Sequence, residues 1–206
     1  MSLVQAFINQ NFILVCGEQR AILSDGKVDE NFVKVKKINS NIIIGMTGTI
    51  EGNASLFSEF INGDFSLKEN ICFEKYDYNQ ALQIVTNNFN SNLNYIKTHH
   101  VHSLICGWNN NIMTGRAFFV KENGKIKIHD LTPDYPGHVK FINCGDERHY
   151  KNAEKIFSLT PPNNIIQCKN LFLNIIDEGV KFDKGINKNC TFEKIRRVDF
   201  IKNVNL

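Results

Sequence analysis

The sequence contains two apolar, β-favouring runs near its beginning, at residues 3–8 and 12–16, separated only by the polar residues 9–11. Runs of this length, rich in Val, Ile and Phe and joined by a short Asn-containing turn, predict an antiparallel β-hairpin. A sheet, rather than a helix, is therefore expected to form the first part of the hydrophobic core.

Along the rest of the chain, the apolar patterns form blocks of predicted strands that alternate with pairs of predicted helices. Beyond the first hairpin, strands are predicted at 32–38, 41–46, 103–108, 116–121, 125–130, 139–143 and 190–199. Helical spacing predicts a helix that begins near residue 51 and further helices at 79–95, 150–159 and 170–180. Helices that arrive in pairs between blocks of antiparallel strands suit two packed sheets with helices on both outer faces. We therefore expect one α+β domain over residues 1–206, built as a four-layer αββα sandwich of two antiparallel sheets.

The composition is that of a globular protein, with 42% apolar and 22% charged residues in a chain of 206. The formal charge of +3 comes from basic residues that are spread along the chain, which gives nucleic-acid binding little support. No apolar run approaches the roughly 20 residues of a membrane-spanning helix, and the six cysteines form no CxxC pair for zinc or redox chemistry. We expect reduced thiols, a cytoplasmic location, no nucleic-acid or membrane partner, and no cofactor or metal.

Four positions in the first quarter of the chain share one register without a gap. They are Ser2, the triplet Glu18-Gln19-Arg20, Lys34 and Gly48. Their spacing resembles that of proteasome β subunits and bacterial heat-shock peptidases, which are N-terminal-nucleophile (Ntn) hydrolases. That family has a nucleophile on the first strand, an acid followed two residues later by Arg, then a Lys, and a Gly turn. Residues 38–39, 42–46 and 105–108 continue the resemblance, which is clear over about a third of the sequence.

The resemblance implies a nucleophilic mechanism in which removal of Met1 leaves Ser2 with the free α-amine. That amine, with an ordinary pKa of about 8, can take the proton of the Ser2 hydroxyl at neutral pH. Lys34 would lower the pKa of the hydroxyl, Glu18 would orient Lys34 through a salt bridge, and Gly48 would donate a backbone N–H to the oxyanion.

The resemblance is looser in the second half of the chain. Asn143-Cys144-Gly145 stands where the family has Gly-Ser-Gly, and Asp183 is a candidate for the late Asp that supports the nucleophile. Ile186 replaces the Ser that follows this Asp by three residues in the family. The family pattern also implies a peptide or amide substrate and a homo-oligomer, with a ring as one form. The expected substrate contacts come from Arg20, Thr47 and Thr49.

Several residues keep a second interpretation. If Met1 is retained, the free α-amine belongs to Met1 and Ser2 lacks its general base. Gly48 is also the glycine that a turn between a strand and a helix needs. Lys34 belongs to a run with Lys36 and Lys37 that alternates with valines, a pattern typical of a strand with one solvated face. At the level of function, two alternatives to an Ntn peptidase remain. They are a catalytically inactive scaffold or binding protein of the same fold and a small-molecule amidase of the Ntn class.

His99, His100 and His102 form a cluster for which a zinc site is one interpretation. In an extended chain the side chains of His99 and His100 point to opposite faces. The nearest cysteine, Cys106, would lie roughly 13 Å along the strand from His102, too far for a shared metal ion. Histidines in a loop or at a strand edge are therefore the preferred interpretation.

Overall fold

The structure is a computed structural model that describes residues 3–22, 25–48, 75–91, 93–98, 100–120, 125–145, 147–159 and 161–201. The described strands, in chain order, are β1 (Val4–Ile8), β2 (Phe12–Glu18), β3 (Ala21–Ile22), β4 (Val28–Asp29), β5 (Val35–Asn39), β6 (Ile42–Thr47), β7 (His102–Asn109), β8 (Ile112–Val120), β9 (Ile126–Asp130), β10 (Lys140–Cys144) and β11 (Cys190–Arg196). The described helices are α1 (Tyr78–Ser91), α2 (Leu93–Thr98), α3 (Glu147–Leu159), α4 (Ile165–Gly179) and α5 (Val198–Ile201). The helix predicted near residue 51 lies outside the described residues.

β1 and β2 form the predicted hairpin at the centre of a four-stranded antiparallel sheet in the order β10-β1-β2-β11. The side-chain oxygen of Asn9 accepts hydrogen bonds from the backbone N–H groups of residues 11 and 12, at 2.8 and 2.9 Å, and so stabilises the turn. Val4 lies between Gly17 and Cys144 in this register. The beginning of β1 and the ends of β2 and β10 therefore meet at one end of the sheet.

Strands β5 to β9 form a second antiparallel sheet, in the order β5-β6-β7-β8-β9, and β3 pairs with β4 in a separate ribbon. The turn between β7 and β8 consists of Asn110 and Asn111, with φ angles of 48° and 65°. Positive φ at both central positions gives the tight hairpin turn that suits twisted strands, and asparagine tolerates it. The β3–β4 ribbon is absent from the predicted elements, because strands of two residues carry no hydrophobic periodicity.

Buried side chains from both sheets form one hydrophobic cluster. Its members are Val4, Ala6, Ile8, Ile13, Val15, Val35, Ile43, Leu104, Cys106, Met113, Ala117, Leu131, Ile142, Cys144 and Ile195. A Cβ atom added to Gly45 on β6 would lie 2.8 Å from Cγ1 of Val4 on β1, so the two sheets approach closely at this point. Burial of such apolar surface is the main source of folding free energy, at about 25 cal/mol per Å².

Helices pack against each sheet. Phe89 of α1 contacts Phe118 of the five-stranded sheet, with ring centroids 5.3 Å apart. Phe172 of α4 contacts Phe141 of the four-stranded sheet, with ring centroids 6.2 Å apart. The described chain is thus a mixed fold with antiparallel sheets, as predicted. None of the described helices is long and apolar enough to cross a membrane.

Several predicted element ends differ from the structure, and two of them have an identifiable reason. The helix predicted from residue 170 begins at Ile165, because Asn164 caps it and its Oδ1 accepts the N–H of Gln167 at 2.9 Å. The strand predicted over 190–199 stops with the end of β11, and the short helix α5 takes its last residues. Both errors concern element ends, where hydrophobic periodicity carries the least information.

Candidate active site

Glu18 and Lys34 form a buried salt bridge at the end of β2. Glu18 is the last residue of β2 and is fully buried, while Lys34 immediately precedes β5 and is only 2% exposed. The Lys34 ammonium donates hydrogen bonds to Oε1 of Glu18 and to the backbone oxygen of Arg20. The interpretation of Lys34 as a solvated strand lysine is therefore wrong, and the predicted acid and lysine are in contact.

Gly17 allows β5 to begin close to the end of β2. A Cβ atom at Gly17 would lie 2.8 Å from Cγ2 of Val35 and 3.2 Å from Cβ of Lys34. Because glycine has no side chain, these residues can pack directly on the β2 backbone. The backbone oxygen of Lys34 also accepts the N–H of Met46 at 2.9 Å. Contacts with β2 and β6 thus fix the position from which the ammonium reaches Glu18.

Both oxygens of the Glu18 carboxylate accept hydrogen bonds from the backbone. Oε1 accepts the N–H of Leu3 at 3.2 Å in addition to the Lys34 ammonium. Oε2 accepts the N–H of Arg20 at 2.8 Å and that of Asn187 at 3.4 Å. A carboxylate, whose oxygens only accept, suits a position with donors on every side. Leu3 directly follows the predicted nucleophile, which itself lies outside the described residues.

Burial lowers the pKa of the Lys34 ammonium, because desolvation penalises its charged form. The negative charges of Glu18 and Asp183 oppose this effect and raise the pKa in part. A buried lysine with a lowered pKa and a carboxylate partner is common at catalytic sites, although structural ion pairs also show it. Among the described residues, this pair is the strongest candidate for a reactive centre.

Asp183 lies near this pair, in the segment that connects α4 to β11. It is 8% exposed, its Oδ2 lies 2.8 Å from Nε2 of His149, and its Oδ1 accepts the N–H of Gly185 at 2.7 Å. Burial by itself would raise the pKa of Asp183, but the hydrogen bonds from His149 and Gly185 outweigh it, and the pKa is lowered. The structure therefore places an ionised Asp183 where its charge acts on Lys34.

Gly48 follows β6 with a φ of +133°, and a Cβ atom there would lie 2.9 Å from Cα of Val101. Both facts exclude a side chain, so the turn requires glycine. This requirement is compatible with the predicted role of the Gly48 N–H as a donor to the oxyanion. The preceding residue, Thr47, is buried opposite His102, and its hydroxyl makes no hydrogen bond within the described part of the chain. Thr49 lies outside the described residues.

Arg20 forms an ion pair with Glu30, with 3.3 Å between Nη2 and Oε1. Glu30 also accepts a hydrogen bond from Nδ2 of Asn187 at 2.5 Å. The amide oxygen of Asn187 in turn accepts the N–H of Gln19 at 3.2 Å. The side chain of Arg20 is thus paired with Glu30 rather than with Glu18, and its contact with substrate stays a prediction.

Two residues near the site are absent from the predicted set. His149, in the first turn of α3, contacts Asp183, and Asn187 contacts Glu18. Nothing in the sequence around Asn187 signals such a role. His149 lies on the buried face of α3, one turn before the buried Ala153. A helix predicted from residue 147, rather than 150, would have placed His149 on that face.

Among the described residues, the other candidate groups do not form a second reactive centre. Cys144 ends β10 opposite Val4, and burial raises the pKa of its thiol to about 12, which makes it a poor nucleophile. His100 is exposed in a left-handed turn, His102 begins β7, the central strand of the five-stranded sheet, and His99 lies outside the described residues. Within the described ranges, no three His, Cys, Asp or Glu side chains are arranged to hold a metal ion.

The chain thus combines two packed antiparallel sheets, helices against each sheet, and a buried carboxylate–lysine pair beside the start of β1. Neither the protein-family models nor the curated proteins match the sequence. The chain is similar in structure to HslV from Trypanosoma brucei, with a TM-score of 0.57, 13% identity, and coverage of 94% of this chain and 99% of that chain.

The chain is also similar to Anbu, the ancestral β-subunit, from Yersinia bercovieri, with a TM-score of 0.68 and 12% identity. It is similar too to Anbu from Pseudomonas aeruginosa in a helical assembly of the Anbu complex, with a TM-score of 0.67 and 11% identity. Both matches cover 94% of this chain and 81% of the other. The proteasome-like fold predicted from the sequence motif is thereby confirmed, and identities of this size show the fold alone.

Proposed function

We propose that the chain is a proteasome-like Ntn hydrolase that cleaves peptide or amide bonds, with Ser2 as the nucleophile after removal of Met1. The observation that carries the proposal is the hydrogen bond from the N–H of Leu3 to Glu18, whose carboxylate also binds the Lys34 ammonium. Because Leu3 directly follows Ser2, this bond ties the start of β1 to the charged pair that the chemistry requires.

The proposed reaction is nucleophilic acyl transfer. Oγ of Ser2 attacks the substrate carbonyl carbon while the free α-amine takes the hydroxyl proton. The proton then passes to the nitrogen of the leaving amine as the ester forms, and water hydrolyses the ester with the α-amine again as the base. Lys34 stabilises negative charge on Oγ, Glu18 holds Lys34, and the N–H of Gly48 donates to the oxyanion. The proposed substrate contacts are Arg20, Thr47 and Thr49.

We infer that the layers of the fold stack in the order helix, sheet, sheet, helix, within one domain over residues 1–206. Three hydrophobic clusters support this order. One joins the two sheets, a second joins the five-stranded sheet to α1 and α2, and a third joins the four-stranded sheet to α3 and α4. In this arrangement the Glu18–Lys34 salt bridge lies at one end of the sheets and not on the surface of a helix.

We also propose a homo-oligomer, in the cytoplasm. The Anbu complex from Pseudomonas aeruginosa forms a helical assembly, and the outer helices of this chain expose Leu159 at 72% and Ile166 at 73%. Contact between copies would bury such side chains, although single exposed apolar residues are also common in monomers. The free thiols of the described cysteines suit a reducing compartment. Light scattering after size exclusion tests the assembly, and a mass of 23.6 kDa would contradict it.

The decisive experiment starts from protein expressed without a tag. Its intact mass shows whether Met1 is removed, and an electrophilic peptide probe then tests the processed protein. We expect a single adduct on Ser2 that is lost in Ser2→Ala and forms about 100-fold more slowly in Lys34→Met. Retention of Met1 would refute the Ser2 mechanism. A processed protein without an adduct would instead favour the inactive scaffold, and hydrolysis of small amides alone would favour the amidase.

A further inference from the structure

His149 is a titratable residue close to the site that the proposed chemistry does not use. It lies in the first turn of α3, and its side chain is fully buried. The imidazole packs against the ring of Phe182, with centroids 4.9 Å apart. A Cβ atom at Gly179, the last residue of α4, would lie 3.0 Å from Cε1 of His149. The ring is thus enclosed between the beginning of α3 and the end of α4.

From this position His149 binds the segment of residues 180–189, which connects α4 to β11. Its Nε2 lies 2.8 Å from Oδ2 of Asp183. An aspartate carboxylate is ionised at neutral pH and only accepts, so Nε2–H of His149 is the donor in this pair. Hydrogen bonds to an ionised group are stronger than those between neutral groups, and burial removes water as a competitor.

The other end of the same segment contacts Glu18, the last residue of β2, and Gln19, which follows it. The N–H of Asn187 donates to Oε2 of Glu18 at 3.4 Å. The N–H of Gln19 donates to the side-chain oxygen of Asn187 at 3.2 Å and to the backbone oxygen of Asn189 at 2.9 Å. The segment contains neither helix nor strand, so its position beside the salt bridge depends on these hydrogen bonds and on the buried Ile186, which packs against α4.

We propose that His149 is a positioning residue of the site. By binding Asp183 it fixes residues 180–189, and through them it holds Asp183 and Asn187 beside the Glu18–Lys34 salt bridge. Its expected effect on rate rests on the proposed function, whereas its effect on the order of the segment rests on the contacts alone. The two effects can be measured separately.

The first measurement compares His149→Phe with His149→Gln by hydrogen exchange and mass spectrometry of the full chain. Phenylalanine keeps a ring against Gly179 without the donor, while the glutamine amide can reach the position of Nε2. In the Phe variant, the amides of residues 183–189 should exchange about tenfold to 100-fold faster, the factor for one lost hydrogen bond to a charged group. The Gln variant should exchange nearly as the unsubstituted protein does.

Helix α1 is the internal control, because it packs on the other sheet. Its exchange should stay unchanged in both variants. Equal acceleration in α1 would mean that Phe only destabilises the whole protein, and unchanged exchange in 183–189 would mean that His149 does not hold the segment; either result overturns the proposal. If His149→Phe does not fold, His149→Asn, whose amide is too short to reach Oδ2, takes its place.

The second measurement is the rate of modification of the processed protein by the electrophilic peptide probe. In His149→Phe the maximal inactivation rate should fall about tenfold to 100-fold at an unchanged half-saturating probe concentration, and His149→Gln should recover it. Equal rates in all three proteins would overturn the positioning role. Absence of an adduct in the unsubstituted protein would refute the proposed function, and the exchange measurement would then decide the role of His149.

Discussion

Glu18→Gln and Lys34→Met remove opposite halves of the buried salt bridge, and the structure predicts that they lower the free energy of unfolding by unequal amounts. Each carboxylate oxygen of Glu18 faces two donors. Oε1 faces the ammonium and the N–H of Leu3, and Oε2 faces the N–H groups of Arg20 and Asn187. An amide has only one acceptor, so glutamine must direct its NH₂ group at one of these donor pairs in either orientation. It also leaves the ammonium without its carboxylate.

The magnitudes follow from these contacts. We expect Glu18→Gln to lower the free energy of unfolding by about 4 kcal/mol, within the range of about 3–5 kcal/mol for breaking a buried ion pair. Lys34→Met leaves the carboxylate hydrogen-bonded to its backbone donors, which compensate much of its charge. The cost of this substitution should therefore be smaller, about 2 kcal/mol, because one hydrogen bond to a charged group contributes about 1.5–3 kcal/mol. In the double variant no unpaired charge remains, and its cost should fall below the sum of the single costs by at least about 1 kcal/mol.

The assay is equilibrium unfolding in urea followed by circular dichroism, with the free energy extrapolated linearly to water. Lys36→Met, which removes a half-buried lysine two residues further on, within β5, is the matched control and should change stability by less than about 0.5 kcal/mol. A cost of Glu18→Gln no larger than that of Lys34→Met would refute the reasoning. Strict additivity in the double variant would do the same.

The cost of Glu18→Gln should also depend on pH. Burial lowers the pKa of folded Lys34 below its unfolded value of about 10.4, and the substitution removes the opposing charge of Glu18. Between the two pKa values the unfolded chain binds more protons than the folded one, so stability rises with pH. The deficit of the variant should therefore shrink as the pH approaches 10, and a deficit that is constant with pH would contradict this account.

Three further predictions concern single residues. Gly48→Ala should destabilise the protein by about 1–3 kcal/mol and by more than Gly26→Ala, because Gly26 has positive φ but open space around it; thermal unfolding checks both. Burial and a neighbouring histidine lower the pKa of His102 to about 4, so the unfolded chain binds more protons between pH 4 and 6.5. Stability should therefore fall by about 1–3 kcal/mol as the pH drops from 6.5 to 4, and His102→Phe should remove this loss in urea unfolding. Native Cys190, a half-exposed thiol whose pKa a hydrogen bond lowers, should react with iodoacetamide well before buried Cys144, as peptide mapping would show.

The contact between Glu18 and Lys34 was predictable from sequence, whereas the burial of Lys34 was not. The register shared with the resembled family named the two residues as partners, although β2 and β5 lie in different sheets and strand pairing does not join them. Alternation of lysine with valine assigns Lys34 to a wet face, because hydrophobic periodicity has no way to represent a buried charge. Only the glycine at position 17, which lets β5 approach β2, reveals why Lys34 lies inside.

Element ends account for most of what the sequence did not reveal. Hydrophobic spacing locates the middle of α3 well but starts it at residue 150, which leaves His149 outside the helix and hides its buried position. The cap at Asn164 follows Pro161 and Pro162, so punctuation rather than periodicity marks the start of α4. Proline and a capping residue, counted alongside apolar spacing, place the start of α4 within a residue or two.

Around Asp183, the hydroxyl donor that is missing at Ile186 is replaced by donors from other parts of the fold. Where the family pattern has a serine, Ile186 is buried, and its Cδ1 would lie 2.8 Å from a Cβ atom at Gly179, so this position packs on α4 and offers Asp183 no donor. A buried carboxylate without donors would be costly. The donors come instead from the N–H of Gly185 and from His149, whose imidazole reaches Asp183 from α3. The loss of the hydroxyl therefore does not by itself argue against a working site: the carboxylate is still ionised and still acts on Lys34.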